Sequence, residues 1–213
     1  MSLQSFIGKK IGMTQVFNED GSSTAVTVIE LQKAFISQIK TEETDGYQAV
    51  QLAYHAVAEA KLNKPSQGHL KKASLSGLRR FKEFRLASAD GLELGSEVDY
   101  SFLQPGQAFK VTGKSIGKGT MGGIRRWGHH RGPMSHGSKS HRLPGSIGAG
   151  TTPSRVYKGL QMAGKTGNDK VTTLNLQVVR YISEKKILLV KGSVPGVEGG
   201  LLVLKARQSK KKG

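Results

Sequence analysis

The sequence predicts a mainly β protein: a small closed β-barrel with a short α-containing insertion and a long, irregular, basic extension. Three observations predict it. Short β-branched or alternating apolar runs recur towards both ends of the chain. Helical spacing is confined to one stretch. Between Tyr100 and Asn168 there is no Asp or Glu, against eleven Lys and Arg, four of the 6 His and fifteen of the 28 Gly. That stretch has too few apolar groups to close a core of its own and no carboxylate to balance its charge, so it needs an external polyanion to lie against. The 213 residues, 36% hydrophobic, supply one sizeable core with an appended element, not two large domains.

Along the chain, residues 25–31 (AVTVIEL) and 35–40 are short β-branched strands, and 47–54 (YQAVQLAY) alternates so that Val50, Leu52 and Tyr54 share a face. The Asp45-Gly46 pair between the last two is a turn signal. Over residues 68–85 (GHLKKASLSGLRRFKEFR), Leu70, Leu75, Leu78 and Phe81 recur at helical spacing; Gly77 interrupts them, which predicts one or two short helices. Residues 109–111 are strand-like. Past the acid-free stretch, 171–180 puts Leu174, Leu176 and Val178 on one face, and 183–186 turns the chain into a partner strand at 187–191 (ILLVK). A last apolar run, 201–204, follows a loop punctuated by Pro195-Gly196 and Gly199-Gly200. Several short strands at this spacing suggest a closed or nearly closed barrel.

The expected organisation is a barrel core from 1–110 and 168–207, a small insertion with short helices at 56–98, an extended loop over 111–167, and a basic tail at 208–213. More than fifty residues without regular structure are unusual in a compact domain unless the loop is functional. Composition favours the functional case. Gly106, Gly113, Gly117, Gly119, Gly122 and Gly123 prevent a long helix while letting the backbone approach a partner closely.

Charge is placed, not smeared. Residues 1–99 hold twelve basic and twelve acidic side chains, 100–168 eleven and none, and 169–213 ten and three, giving 0, +11 and +7, which sum to +18. Since only 23% of residues are charged, the basicity comes as much from missing carboxylates as from added lysines, which favours nucleic acid over a membrane surface. The absence of cysteine excludes disulfides, thiolate metal sites and thiol nucleophiles, and fits a reducing compartment. No run reaches the roughly eighteen apolar residues of a spanning helix, and residues 1–12 lack the apolar core of a secretory signal, so the chain is expected to act inside the cell.

The densest cluster of interacting side chains is Arg125-Arg126-Trp127-Gly128-His129-His130-Arg131. Guanidinium groups pair with phosphates through two hydrogen bonds, and Trp127 offers a π-face to a splayed base or to a neighbouring arginine. Its polar neighbours are a poor lining for a core, so Trp127 is expected at a surface. Lys110, Lys114 and Lys118 add point charges beside backbone N–H groups free to meet phosphate oxygens. Such chemistry suits folded RNA, which exposes unstacked bases and crowded phosphates, better than a DNA groove, which usually takes a regular helix or ribbon.

His129, His130, His136 and His141 do not make a convincing metal site, because no Cys exists and no carboxylate accompanies them. The same gap argues against hydrolytic catalysis, as nothing would orient a histidine. Residues 108–115 (AFKVTGKS) mimic a phosphate-binding loop, but a strand occupies the place of the loop and four glycines over 116–123 occupy the place of the helix. No enzyme activity and no cofactor are expected.

One family carries many of these segments in the same order. The chain resembles the universal L-three family of large ribosomal subunit proteins, of bacterial or organellar type, nearly end to end. The resemblance rests on GKKIGMT at 8–14, the TDGY turn at 44–47, TGKSIGKGT at 112–120, Arg125-Arg126-Trp127, SHGS at 135–138, HRLPGSIG at 141–148, RVYKG at 155–159, MAG at 162–164 and LLVKGSVPG at 188–196. It implies a translation-protein-like barrel on the large subunit, with an extension threading ribosomal RNA towards the peptidyl-transferase centre. It also implies an early role in subunit assembly, neighbouring large-subunit proteins as partners, and a site in the cytoplasm or, for an organellar member, the matrix or stroma. Carried onto this chain, the tip of the extension is residues 125–131 and the return limb 135–165. Beyond the RNA contacts already named, Lys9, Lys10, Lys139, Arg142, Arg155, Lys158 and Lys165 are expected to reach RNA, with His129, His130, His136 and His141 as compact donors. Two departures stand out: residues 149–152 (AGTT) lack the glutamine that some bacterial members methylate, and 158–162 (KGLQM) hold fewer basic residues than is usual there. The alternative function is that of a free RNA chaperone or DNA-compacting basic protein.

Overall fold

The computed structural model describes residues 5–86 and 91–206. Its elements, in chain order, are β1 (Ser5–Phe17), β2 (Ser23–Leu31), β3 (Ala34–Lys40), α1 (Glu42–Asp45), β4 (Ala49–Ala56), α2 (Lys64–Lys71), β5 (Leu78–Arg85), β6 (Ala108–Lys114), β7 (Thr120–Met121), α3 (Gly123–Trp127), β8 (Gly164–Lys165), β9 (Lys170–Ile182), β10 (Ile187–Lys191) and β11 (Leu201–Ala206). Two compact units result. The first takes the described residues up to Lys114 and those from Val171 on; the second is Ser115–Lys170. The basic tail expected at 208–213 lies outside the described residues.

In the first unit six strands follow the hydrogen-bonded order β1-β11-β6-β9-β10-β2, and β2 pairs back onto β1. Alternation decides what each strand buries. On β6, Phe109, Val111 and Gly113 are buried and Lys110 and Lys114 exposed; on β10 and β11, Leu188, Val190, Leu202 and Leu204 fill the interior. Burying each large apolar side chain contributes about 1.5–3 kcal/mol. Phe6 centres an aromatic cluster, meeting Tyr100, Phe102 and Phe109 edge-on at 5.7, 5.9 and 5.4 Å between ring centroids. Two glycines allow the packing: a Cβ on Gly113 would sit 2.8 Å from Leu202 Cδ2 and 2.9 Å from the Pro195 carbonyl, and one on Gly8 would run into Ile29 Cγ2. The phosphate-loop mimic at 108–115 is thereby accounted for, since Ala108–Lys114 is one continuous strand.

The strands read at 35–40 and 47–54 do not join the six. They pair with each other and with β5 in a separate sheet of order β3-β4-β5. Residues 78–85, whose spacing predicts helix, are strand β5. Gly77, at φ +67, turns the chain, and Leu78 and Phe84 are then buried from the sheet. The helix ahead of β5 is α2, with a proline in its first turn, which packs Leu70 against Ala53, Leu62 and Leu78. The Asp45-Gly46 turn is one helical turn, α1, closed by Gly46 at φ +76. A further difference concerns β9: Val178 is buried but Leu174 is 63% exposed, because Asn175 at φ +57 breaks the alternation between them. Strand β1 carries no clear signal in the sequence, since Gly8, Gly12 and two lysines interrupt its apolar residues.

The second unit begins as a narrow ladder. Ser115 N–H donates to Asp169 O at 2.8 Å, Lys118 N–H to Thr166 O at 2.8 Å and Thr166 N–H to Gly119 O at 2.9 Å, and β7 pairs with β8. Beyond it the chain forms α3, ended by Gly128 at φ +76, and then turns and irregular backbone as far as Ala163. No residue from Ser115 to Lys170 is buried.

Candidate nucleic-acid interface

An unburied segment can still be shaped, and this one is shaped by side chains that reach across it. Arg126 stacks over the Trp127 ring at 5.0 Å, and both donate to one carbonyl: Arg126 Nη1 to Met162 O at 2.9 Å and Trp127 Nε1 to Met162 O at 2.8 Å. His129 Nε2 and Gln161 Oε1 lie 3.2 Å apart. Gly164 makes room for this clasp, because a Cβ there would meet Arg126 Nη1. The cluster expected at the tip is thus fastened to the return limb two residues before β8. Trp127 nonetheless remains 43% exposed, outside any core.

A second brace closes the turn that follows. Gly132 N–H donates to His141 O at 2.8 Å, and His141 Nδ1–H to Pro133 O at 2.9 Å. His141 is thereby a structural donor, while His130 and His136 are exposed. Arg155 lies over Tyr157 at 5.5 Å. Arg125, Arg131, Lys139, Arg142, Lys158 and Lys165 are all exposed, as are Lys110, Lys114 and Lys118. Of the eleven Lys and Arg in the acid-free stretch, Arg126 alone is half-buried. Among the described residues the ion pairs are Lys40–Glu83 at 2.9 Å and Lys186–Glu97 at 2.8 Å, so no carboxylate neutralises any of the eleven.

Lys10 is bound within the protein as well. Its Nζ donates to Val194 O at 3.2 Å and Gly196 O at 3.0 Å, fastening the β10–β11 loop and leaving one N–H for anything else. Lys9, next to it, is half-buried. The titration shifts belong to the first unit. Hydrogen bonds from Lys40 to the Tyr47 hydroxyl and to Glu83 raise the ammonium, the same Lys40 contact lowers Glu83, and burial pushes Tyr100 up. Among the described residues no group of His, Asp and Glu is arranged to hold a metal ion, and no helix is long and apolar enough to cross a membrane.

Comparison with known proteins bears on what this surface meets. A sequence model of the family described as Ribosomal protein L3 matches residues 33–186. The chain is also 53% identical over 196 residues to a protein of Synechococcus elongatus named large ribosomal subunit protein uL3, covering 92% of each chain. Proteins of the same name from Picosynechococcus sp. and from Synechococcus sp. (strain RCC307) are 50% and 49% identical, covering 92% and 93% of each chain. The chain belongs to the ribosomal protein L3 family. The span of the L3 match takes in the whole of Ser115–Lys170 and the β3-β4-β5 sheet.

Two basic features of this L3-family chain escape a reading of the sequence. Lys205 on β11 is the cross-strand partner of Lys110, and both are exposed, so two like charges face each other. Both strands are legible, but their register is not. The second feature is the stretch of chain that carries α2 and β5. Residues 60–86 hold eight Lys and Arg, all exposed, against Glu83 alone, while the rest of 1–99 holds four against eleven. Averaging over 1–99 hides that basic stretch; a shorter window reveals it.

Proposed function

We propose that the chain is a structural constituent of the large ribosomal subunit, in the cytoplasm, binding large-subunit RNA and neighbouring subunit proteins and supporting subunit assembly. The observation that carries the proposal is the segment Ser115–Lys170, which exposes almost every cation it has, buries no side chain and contains no carboxylate before Asp169. Crowding ribosomal RNA helices together costs phosphate repulsion, and a cationic segment offsets that cost by neutralising charge and releasing counterions. The role is scaffolding, without chemistry of its own.

The finer architecture belongs to the same proposal. The six strands form a closed barrel of the translation-protein type, with residues 111–167 the RNA-penetrating loop, placed near the peptidyl-transferase centre. Support for closure comes from the cyclic pairing order and from the meeting of β6 with β9, where the Thr112 and Thr172 hydroxyls lie 2.8 Å apart and Val178 exchanges backbone hydrogen bonds with Gly106 and Gln107. The RNA contacts are Lys9, Lys110, Lys114, Lys118, Arg125, Arg131, Lys139, Arg142, Arg155, Lys158 and Lys165, with His130 and His136. Arg126, Trp127, His129 and His141 shape the surface that presents them, and Lys10 contributes its remaining N–H.

The test is made on assembled subunits. The chain is expected to stay with large subunits through a moderate salt wash. Trp127→Ala should leave the melting temperature of the full-length chain unchanged, while chemical probing finds altered RNA reactivity around the peptidyl-transferase centre. An unchanged pattern there would remove the placement; release of the wild-type chain by the wash would remove the ribosomal role.

A further inference from the structure

Within Ser115–Lys170, the apolar side chains Ile124, Leu143, Ile147 and Met162 converge on one pocket of about 340 Å³. That size lies near the lower end of small-molecule sites, about 300–1,000 Å³. Single exposed apolar residues need no explanation, but these share a concave surface, with Leu143 69%, Ile147 45% and Met162 36% exposed. The unit has no buried residue and therefore no core of its own to draw over them.

One wall of the pocket is held in place before any guest arrives. Met162 is fixed through its carbonyl by Trp127 and Arg126, and Gln161 beside it through its contact with His129. The polar groups at the lining are Arg142, His129 and Gln161, and no carboxylate occurs between Tyr100 and Asn168. A guest suited to that lining is apolar in its body, polar at its edges, and attached to an anion. A nucleotide meets all three conditions. A paired base keeps its faces inside the stack, so the guest is an unpaired one.

We propose that this pocket receives one unstacked RNA base, with Ile124, Leu143, Ile147 and Met162 against its face, the Gln161 amide at its edge and Arg142 on the adjoining phosphate. The proposal rests on the RNA-binding function above and adds the manner in which the segment engages a single nucleotide. Pre-fastening of the Met162 wall lowers the ordering cost of that engagement.

The experiment compares assembled large subunits carrying the wild-type chain, Leu143→Ser with Ile147→Ser, and Leu143→Met with Ile147→Leu, using base-specific chemical probes on the RNA. One unpaired base protected by the wild-type chain should lose its protection in the serine variant and keep it in the conservative one. Because both side chains are exposed, melting of the full-length chain should not change. Arg142→Gln should lower the slope of log affinity against log salt for a large-subunit RNA fragment by about 0.7–0.9. Identical base reactivity in all three subunits, with RNA binding intact, would overturn the pocket alone. A wild-type chain that binds no large-subunit RNA would overturn the function beneath it as well.

Discussion

Gly113 illustrates how a residue without a side chain holds two strands and a loop at their observed distance. Alanine there would press on Leu202 and on the Pro195 carbonyl, and backbone cannot swing aside as a side-chain end can. Gly113→Ala should therefore cost about 1–3 kcal/mol in denaturant unfolding. Gly12→Ala is the matched control, because its Cβ would meet only Glu198 Oε1 at 3.6 Å, and it should stay within about 0.5 kcal/mol of wild type. Single positions differed in how openly the sequence declared them. Trp127 was legible as a surface residue because its neighbours are charged or lack a side chain, and no core tolerates such company. Leu174 was not, because the positive φ of Asn175 that turns it outward is a choice of backbone that tertiary context makes.

Strand β5 is the plainest case of an element that periodicity misassigned. Leu75, Leu78 and Phe81 are spaced as on a helix, yet the pairing of β5 with β4 settles the matter, and Phe84 becomes the inward residue. Pairing partners 22 to 36 residues away leave no local trace. The hairpin of β9 and β10, by contrast, was legible because its turn and both alternating runs are contiguous. In the β3-β4-β5 sheet, Lys40 reaches across β4 to Glu83 on β5 and also bonds Tyr47. Glu83 titrates below its ordinary value of 4.5, so its contribution is fully present above that value and is lost as pH falls through the lower, folded one. Lys40 is shifted upward, so its share is lost only as strongly alkaline solution is approached. Glu83→Gln should flatten the fall of the melting temperature between pH 5 and pH 3, roughly the range over which exposed carboxylates titrate. A mutant that loses stability in acid as steeply as wild type would show the pair to be inconsequential.

Charge is unevenly distributed over the whole chain, and this was legible from composition because missing carboxylates are visible in one dimension. What composition could not supply was the clasp on Met162, the brace at His141 or the recruitment of Lys10 to a loop, since each depends on side chains 8 to 186 positions apart in sequence. It also missed the basic stretch of α2 and β5, whose cations are diluted by acids on the neighbouring segments. If phosphate neutralisation drives binding, Lys110, Lys114 and Lys118 changed together to Gln should reduce the slope of log affinity against log salt for large-subunit RNA by about 2 to 3. A slope left unaltered would mean that these three face solvent in the complex.

A segment in which every side chain from Ser115 to Lys170 meets water has a consequence for copies made in excess of RNA. Its exposed lysines and arginines lie mostly in irregular backbone, open to any protease that cuts after basic residues, while those of the strands on either side sit in hydrogen-bonded ladders. Limited proteolysis of the free full-length chain should accordingly cut first within that segment, and RNA laid along it should slow the cut.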